Sequence, residues 1–157
     1  MIDVGGWHLA QVNVALPQAL LDTPVMAGFV RALDDVNWLA DRSTGFVWRL
    51  HPQNGLVTLG PLDGCQVIVT LSVWTSVESL QRYVYRSAHA LFMQRRSRWF
   101  EPIGGFTTAL WWVPEGCLPE LDDAMDRLES LRADGPSPRA FSLGLQFGPD
   151  GLRAGRR

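Results

Sequence analysis

The chain has 157 residues, of which 46% are apolar and 19% charged, and its formal net charge is −2. This length and composition predict one globular domain with a substantial core, and they exclude a disordered chain. The weak net charge provides no field that would attract nucleic acid, and no apolar run is long enough to span a bilayer. The N-terminal residues lack the apolar segment of a signal peptide, so we predict a cytoplasmic protein without nucleic-acid or membrane partners.

The first half of the chain alternates between strand and helix patterns. Period-two alternation predicts a strand over 7–15, and helical spacing after Pro24 predicts an amphipathic helix over 25–40. A short strand over 46–50 follows. The next stretch, 51–64, is rich in Pro, Asn and Gly, which indicates a hairpin or an extended loop.

The second half repeats the same alternation of elements. A β-branched run predicts a strand over 66–74, and a long helix is expected from about Ser76 to Phe100. A strand over 106–113 and an amphipathic helix over 119–133 follow. Residues 140–147 have the pattern of a further edge strand.

The element order is β-α-β-β-α-β, which predicts an α+β fold of the ferredoxin-like, split βαβ type. Right-handed crossovers place both helices of this unit on one face of the sheet. Strand 106–113 is apolar on both sides, so we predict that a second subunit covers the other face, giving a homodimer assembled as a dimeric α/β barrel. The domain is expected to span 1–148, with a flexible basic tail over 149–157.

The helix after Trp74 carries a second row of side chains beside its core stripe. The members share helical spacing and are Arg82, Tyr85, His89, Met93, Arg96 and Phe100. This row is typical of a pocket lining or an interface. Arg96 either holds a carboxylate or phosphate of a ligand or is a solvated surface charge.

His89 is the main candidate for chemistry on this helix. It is either a general base or a heme ligand beside Tyr85, or a structural histidine that is hydrogen-bonded to a strand backbone. The three histidines have no short ligand spacing, so we predict no metal site. Cys65 and Cys117 lie outside any CxxC pattern and are expected to be free thiols.

Aromatic rings are abundant for a chain of this length. Five tryptophans either pack in the core and the dimer interface or line a slot for a flat ligand. They are Trp48, Trp74, Trp99, Trp111 and Trp112. Gln11 and Asn13 are polar residues inside a strand, and they favour the slot. The sequence contains no nucleophile elbow, Walker loop, GxGxxG or HExxH motif, which argues against serine hydrolysis and nucleotide binding.

Six short motifs resemble an uncharacterised bacterial domain-of-unknown-function family within the dimeric α/β-barrel, antibiotic-biosynthesis-monooxygenase-like superfamily. They are HLAQVN at 8–13, GFVWRL at 45–50, LSVWTSVESL at 71–80, YRSAH at 85–89, RRSRWF at 95–100 and LWWVP at 110–114. The resemblance implies a small-molecule pocket. Cofactor-free oxygenases of that superfamily use polar side chains and tryptophan to hold a phenolic substrate, and the nearest equivalents here are Asn13, Trp74 and Trp112.

These observations together predict a small-molecule enzyme of the monooxygenase-like group that acts on an aromatic or polyketide-type compound in a Trp-lined pocket. The catalytic candidates are His89, Tyr85 and Asn13. The ligand-binding candidates are Trp48, Trp74, Trp112, Arg96, Met93 and Gln11. We expect no cofactor. The alternatives are a non-catalytic binder of a hydrophobic ligand and a heme-binding protein that uses His89, whose Ala88-His89 pair resembles that of heme-degrading relatives.

Overall fold

The structure is a computed structural model and describes residues 5–51, 57–62, 65–86 and 96–154. Its strands are β1 (Trp7–Pro17), β2 (Phe46–Arg49), β3 (Val57–Leu62), β4 (Cys65–Trp74), β5 (Phe100–Glu101) and β6 (Thr108–Pro114). Its helices are α1 (Ala27–Asp41), α2 (Val77–Arg86), α3 (Arg96–Trp99) and α4 (Leu121–Asp134), and a 3-10 turn (Pro24–Met26) leads into α1. No helix in these ranges is both long and apolar enough to cross a membrane.

The sheet confirms the predicted α+β, ferredoxin-like fold. Its central strands lie in the order β2-β4-β1-β6, and all of these neighbours are antiparallel. This is the order that two right-handed βαβ crossovers produce when the second is inserted beside the first. β3 continues the edge begun by β2, because Phe46 pairs with Trp74 and Val57 pairs with Val69 further along β4.

Several segments differ from the sequence prediction. Phe100, which was expected to end the helix from Ser76, begins β5 and pairs with Pro17. Residues 57–62 form β3, although the Pro- and Gly-rich stretch around them indicated only a hairpin or a loop. Residues 140–147 do not form a strand. Phe141 instead makes an isolated bridge to Leu110 at the outer edge of β6, with two backbone hydrogen bonds of 2.8 Å. Phe141 is fully buried, and its tertiary packing holds this contact although no regular ladder of strand hydrogen bonds forms.

The residues after 148 pair with the segment before them. Leu152 accepts a backbone hydrogen bond of 2.8 Å from Gly148, and Ala154 donates one of 2.8 Å to Gln146. Residues 149–154, which the sequence assigned to a flexible tail, are therefore hydrogen-bonded to the domain.

The two faces of the sheet are covered by different helices. One face, here called the α1–α2 face, carries Leu9, Trp74 and Leu110, which pack against Val77 and Leu80 of α2 and against Ala40 of α1. Both helices of the split βαβ unit lie on this face, as predicted. The period-two alternation that predicted β1 is also confirmed, because neighbouring residues of β1, such as Leu9 and Ala10, enter different core clusters.

The opposite face, here called the α4 face, is covered by the chain itself. Val12, Val73 and Trp111 are buried on it, and they share one core cluster with Leu128 and Leu131 of α4. The sequence predicted that a second subunit covers this face, but α4 of the same chain covers it instead. Two-sided apolar strands therefore do not require a partner here. The homodimer stays a prediction, which light scattering on the purified protein tests.

The turn between α1 and β2 requires a glycine at position 45. Its φ is +83°, and an added Cβ would lie 2.6 Å from Thr75 Oγ1 and closer still to the side chain of Ser79. Gly116 has a φ of +87° but nothing within 4 Å of an added Cβ. We expect Gly116→Ala to cost about 1–2 kcal/mol of unfolding free energy from backbone strain alone.

Gly45→Ala is expected to cost about 1–3 kcal/mol more than Gly116→Ala, because it adds overpacking to the same backbone strain. Urea unfolding of both variants measures the difference. Equal losses would mean that the space around Gly45 adjusts without cost.

Candidate functional site

A cavity of about 570 Å³ lies between the α1–α2 face of the sheet and helices α1 and α2. This volume falls in the range of small-molecule sites. Tyr85, Glu101 and Phe106 line the cavity and are exposed, so it reaches the surface beside them. Most of the remaining lining is apolar and comes from α1, α2 and the facing strands.

The floor of the cavity is polar, although the surrounding sheet face is apolar. Five side chains on the three central strands form this polar floor: Gln11, Asn13, Thr70, Ser72 and Thr108. The strand register brings them together, because Gln11 pairs with Ser72, and Asn13 pairs with both Thr70 and Thr108. Cross-strand pairs of this kind place side chains within direct contact.

Hydrogen bonds fix the orientation of these groups. Gln11 donates from Nε2 to Ser72 Oγ at 2.8 Å, and the indole Nε1 of Trp74 donates to the same oxygen at 3.0 Å. Thr108 Oγ1 donates to Asn13 Oδ1 at 2.8 Å. The amide N–H groups of Asn13 thus have no acceptor among the described residues, and they are available to a ligand.

Aromatic rings form one end of the cavity. Trp74 is 1% exposed, stacks on Tyr83 at 5.2 Å between centroids and meets the ring of Phe46 edge-on at 5.5 Å. The hydroxyl of Tyr83 donates to the backbone carbonyl of Val36 at 3.1 Å. Burial raises the pKa of Tyr83 well above its ordinary value, and the carboxylate of Asp41 adds to the rise while Arg49 opposes it.

The raised pKa of Tyr83 has a consequence for stability at alkaline pH. The unfolded chain releases the phenolic proton above about pH 10, whereas the folded chain keeps it, so unfolding is favoured as pH rises. We expect the free energy of unfolding to be unaffected by this proton below pH 10. Above pH 10 it should fall by up to about 1.4 kcal/mol per pH unit. Tyr83→Phe should remove this slope in urea titrations between pH 9 and pH 11. An unchanged slope would contradict the assignment.

A cation lies at the aromatic end of the cavity. Arg49 of β2 lines the cavity and forms a two-pronged ion pair with Asp41, from Nε to Oδ1 at 2.7 Å and from Nη2 to Oδ2 at 3.2 Å. Its side chain is only 18% exposed. Sequence reasoning missed Arg49, although an arginine inside the apolar strand motif FVWRL was the available signal.

The structure brings together four of the predicted site residues. Gln11, Asn13 and Trp74 line the cavity, and Tyr85 lies at its exposed edge with 64% of its surface accessible. His89 and Met93 lie outside the described residues. The backbone of Arg96 begins α3, while its side chain is outside the described part.

Two predicted ligand-binding tryptophans do not line this cavity. Trp48 packs against the core of the α4 face, on the other side of the sheet. Trp112 lies on the α1–α2 face, but its Nε1 donates to the carbonyl of Phe147 at 2.7 Å and its ring packs in the core near the outer edge. The bulge between Phe46 and Trp48 in β2 sends the two rings to opposite faces, which the sequence pattern did not indicate.

The described ranges contain no group of three or more His, Cys, Asp or Glu side chains arranged to hold a metal ion. Cys117 is an exposed free thiol. The heme prediction depends on His89, which is outside these ranges, and it stays a prediction.

Comparison with known proteins places the chain in a family. No curated protein sequence matches it significantly. Among solved structures, SnoaB, a cofactor-independent oxygenase from Streptomyces nogalater, is 17% identical with a TM-score of 0.48, covering 72% of this chain and 98% of SnoaB. NE2512 of Nitrosomonas europaea, of unknown function, is 12% identical with a TM-score of 0.48, covering 73% and 95%. Likenesses this distant carry no argument about function.

The family model that matches is described as a domain of unknown function, DUF3291, and it covers residues 8–156. This match confirms the prediction of an uncharacterised domain-of-unknown-function family. Because it spans nearly the entire sequence, the chain belongs to the DUF3291 family.

Proposed function

We propose that this chain is a small-molecule enzyme of the monooxygenase-like group, acting on an aromatic or polyketide-type compound in the cavity between the sheet and helices α1 and α2. The polar floor is the observation that carries the proposal. Five polar side chains lie together on the sheet face below the helices, where packing alone would favour apolar residues. A cavity with apolar walls and a few convergent polar groups is the usual form of a small-molecule site.

The floor suits a substrate oxygen that gains negative charge. A phenol or enol that releases its proton to water at the open edge of the cavity becomes electron-rich enough to react with dioxygen, the oxidant of this class. Amide N–H groups of Asn13 face such an oxygen from a fixed position, because Thr108 holds the amide oxygen. Donors that are already held in position stabilise developing charge more than water does, because water must first reorient. Phe46 lines the cavity beside the ring system, and the buried ring of Trp74 supports it from behind.

A second candidate function is non-catalytic binding of a hydrophobic ligand. Among the described lining residues there is no histidine, and the lining carboxylate Glu101 is at the exposed edge. The guanidinium of Arg49 is paired, and the phenol of Tyr83 is held protonated by its raised pKa. The described part of the cavity therefore contains no evident general base, which favours binding over acid–base chemistry.

Oxygen uptake with polycyclic phenols separates the two candidates. We expect the wild type to consume dioxygen with at least one such compound, and Asn13→Leu to reduce the rate about 100-fold because an oxyanion donor is lost. Trp38→Ala is the matched control, since Trp38 is 54% exposed on α1 and does not line the cavity.

Three results of this experiment are informative. Binding without oxygen uptake would support the non-catalytic binder. Equal rates in wild type and Asn13→Leu would contradict the role of the floor. A Soret absorption band in the purified protein would favour the heme-binding alternative.

A further inference from the structure

Ser72 has the most constrained hydrogen-bonding arrangement in the polar floor. A serine hydroxyl has two acceptor lone pairs and one hydrogen to donate. Both lone pairs of Ser72 Oγ are occupied, one by Nε2 of Gln11 at 2.8 Å and the other by Nε1 of Trp74 at 3.0 Å. The indole N–H can only donate, so this arrangement cannot reverse at Trp74.

The hydrogen of Ser72 is thereby left as a donor. Among the described residues it has no acceptor, and Ser72 lines the cavity rather than the protein interior. A donor left without an acceptor at the floor of a cavity is costly unless a ligand or water accepts from it. We infer that Ser72 is a specificity-determining donor that selects ligands with a carbonyl or enolate oxygen.

This inference rests on the proposed function of the cavity and narrows its substrate class. Ser72 and the amide of Asn13 are diagonal neighbours on adjacent strands, about 7–8 Å apart at the backbone. Both side chains line the same cavity, so a flat compound with two acceptor oxygens can accept from both donors. A ligand whose only polar group is a donor would leave both of them unpaired.

The test uses two probes of equal ring size, 1-indanone with one carbonyl acceptor and indane with none. The carbonyl of 1-indanone is labelled with ¹³C, so that infrared difference spectra report its stretching frequency when it is bound. In wild type we expect a frequency below that of 1-indanone in alkane solvent, because Ser72 donates to the carbonyl. The affinity ratio of 1-indanone to indane is measured in parallel by calorimetry.

Two substitutions at one position distinguish the direction of the Ser72 hydrogen bond. Gln11→Glu, studied at pH 8.5, replaces a donor by a carboxylate that accepts the Ser72 hydrogen, so the carbonyl frequency should return towards its alkane value and the affinity ratio should fall about three- to tenfold. Gln11→Met removes the donor without adding an acceptor, so the lowered frequency should persist. Ser72 itself is kept, because its removal would free N–H groups of Gln11 and Trp74 to replace it.

Each remaining outcome overturns the inference. A wild-type carbonyl frequency equal to that in alkane, or equal behaviour of the Glu and Met variants, would show that Ser72 does not select the carbonyl while the cavity still binds. Failure of both probes to bind would remove the proposed small-molecule site as well. Binding of indane to each variant reports that its cavity is intact.

Discussion

Leu128→Ala is expected to destabilise the protein by about 2–5 kcal/mol, which is a large share of the stability of a domain of this size. Leu128 is 1% exposed and joins α4 to the core on the α4 face of the sheet. The substitution leaves a cavity between helix and sheet that the backbone cannot close. Leu118→Ala is the matched control, because Leu118 is 52% exposed just before the helix and should cost less than about 0.5 kcal/mol.

Urea unfolding followed by tryptophan fluorescence measures both variants. Similar small losses for Leu128 and Leu118 would mean that α4 is not docked in solution. The result also bears on assembly, since a dimer with sheets packed face to face would use the α4 face. While α4 remains docked, a homodimer must use another surface, and light scattering would then be read together with a search for that surface.

The strand faces were predictable because alternation has a physical period. Polar residues at positions 11 and 13 share a side with apolar Leu9, and the structure places all three on the α1–α2 face. Backbone pleating alone determines this relation. Gln11 and Asn13 were therefore selected from the sequence, and both line the cavity.

Which helix packs on which face of the sheet was less predictable, because this depends on contacts between residues that are distant in the sequence. Helical spacing identified an apolar stripe on the helix that became α4, but no local feature states which sheet face the stripe meets. Ser72 was missed for a similar reason. Its role depends on Gln11, which is 61 positions away and reaches it only through the register of β1 and β4.

Tryptophan assignments show the same limit. Trp74 and Trp112 both lie on the α1–α2 face, yet only Trp74 lines the cavity. Distance across the sheet separates them, since Trp74 borders β2 while Trp112 lies on β6 near the 140–147 segment. Trp74 variants are therefore expected to change the shape of the aromatic end of the cavity, whereas Trp112 variants should act on stability.

Arg49→Met is expected to weaken binding of 2-naphthoate by about tenfold or more while changing 2-naphthamide by less than about threefold. A charge-assisted hydrogen bond contributes about 1.5–3 kcal/mol, which corresponds to roughly 10- to 150-fold in affinity. Arg49 supplies such bonds at the aromatic end of the cavity, where its pair with Asp41 uses only two of the five guanidinium N–H groups. Methionine keeps the length and the apolar stem, so packing changes little.

Asp41→Asn is the complementary variant. It removes the carboxylate that competes for Arg49 and is expected to strengthen naphthoate binding, with naphthamide again nearly unchanged. Arg96→Ala tests the cation that the sequence indicated, and a selective loss of naphthoate there would assign the anion to the α3 end instead. If Arg49→Met weakens the affinity for both probes equally, Arg49 contributes packing rather than charge. Only an ionic contact distinguishes a carboxylate from an amide of the same shape.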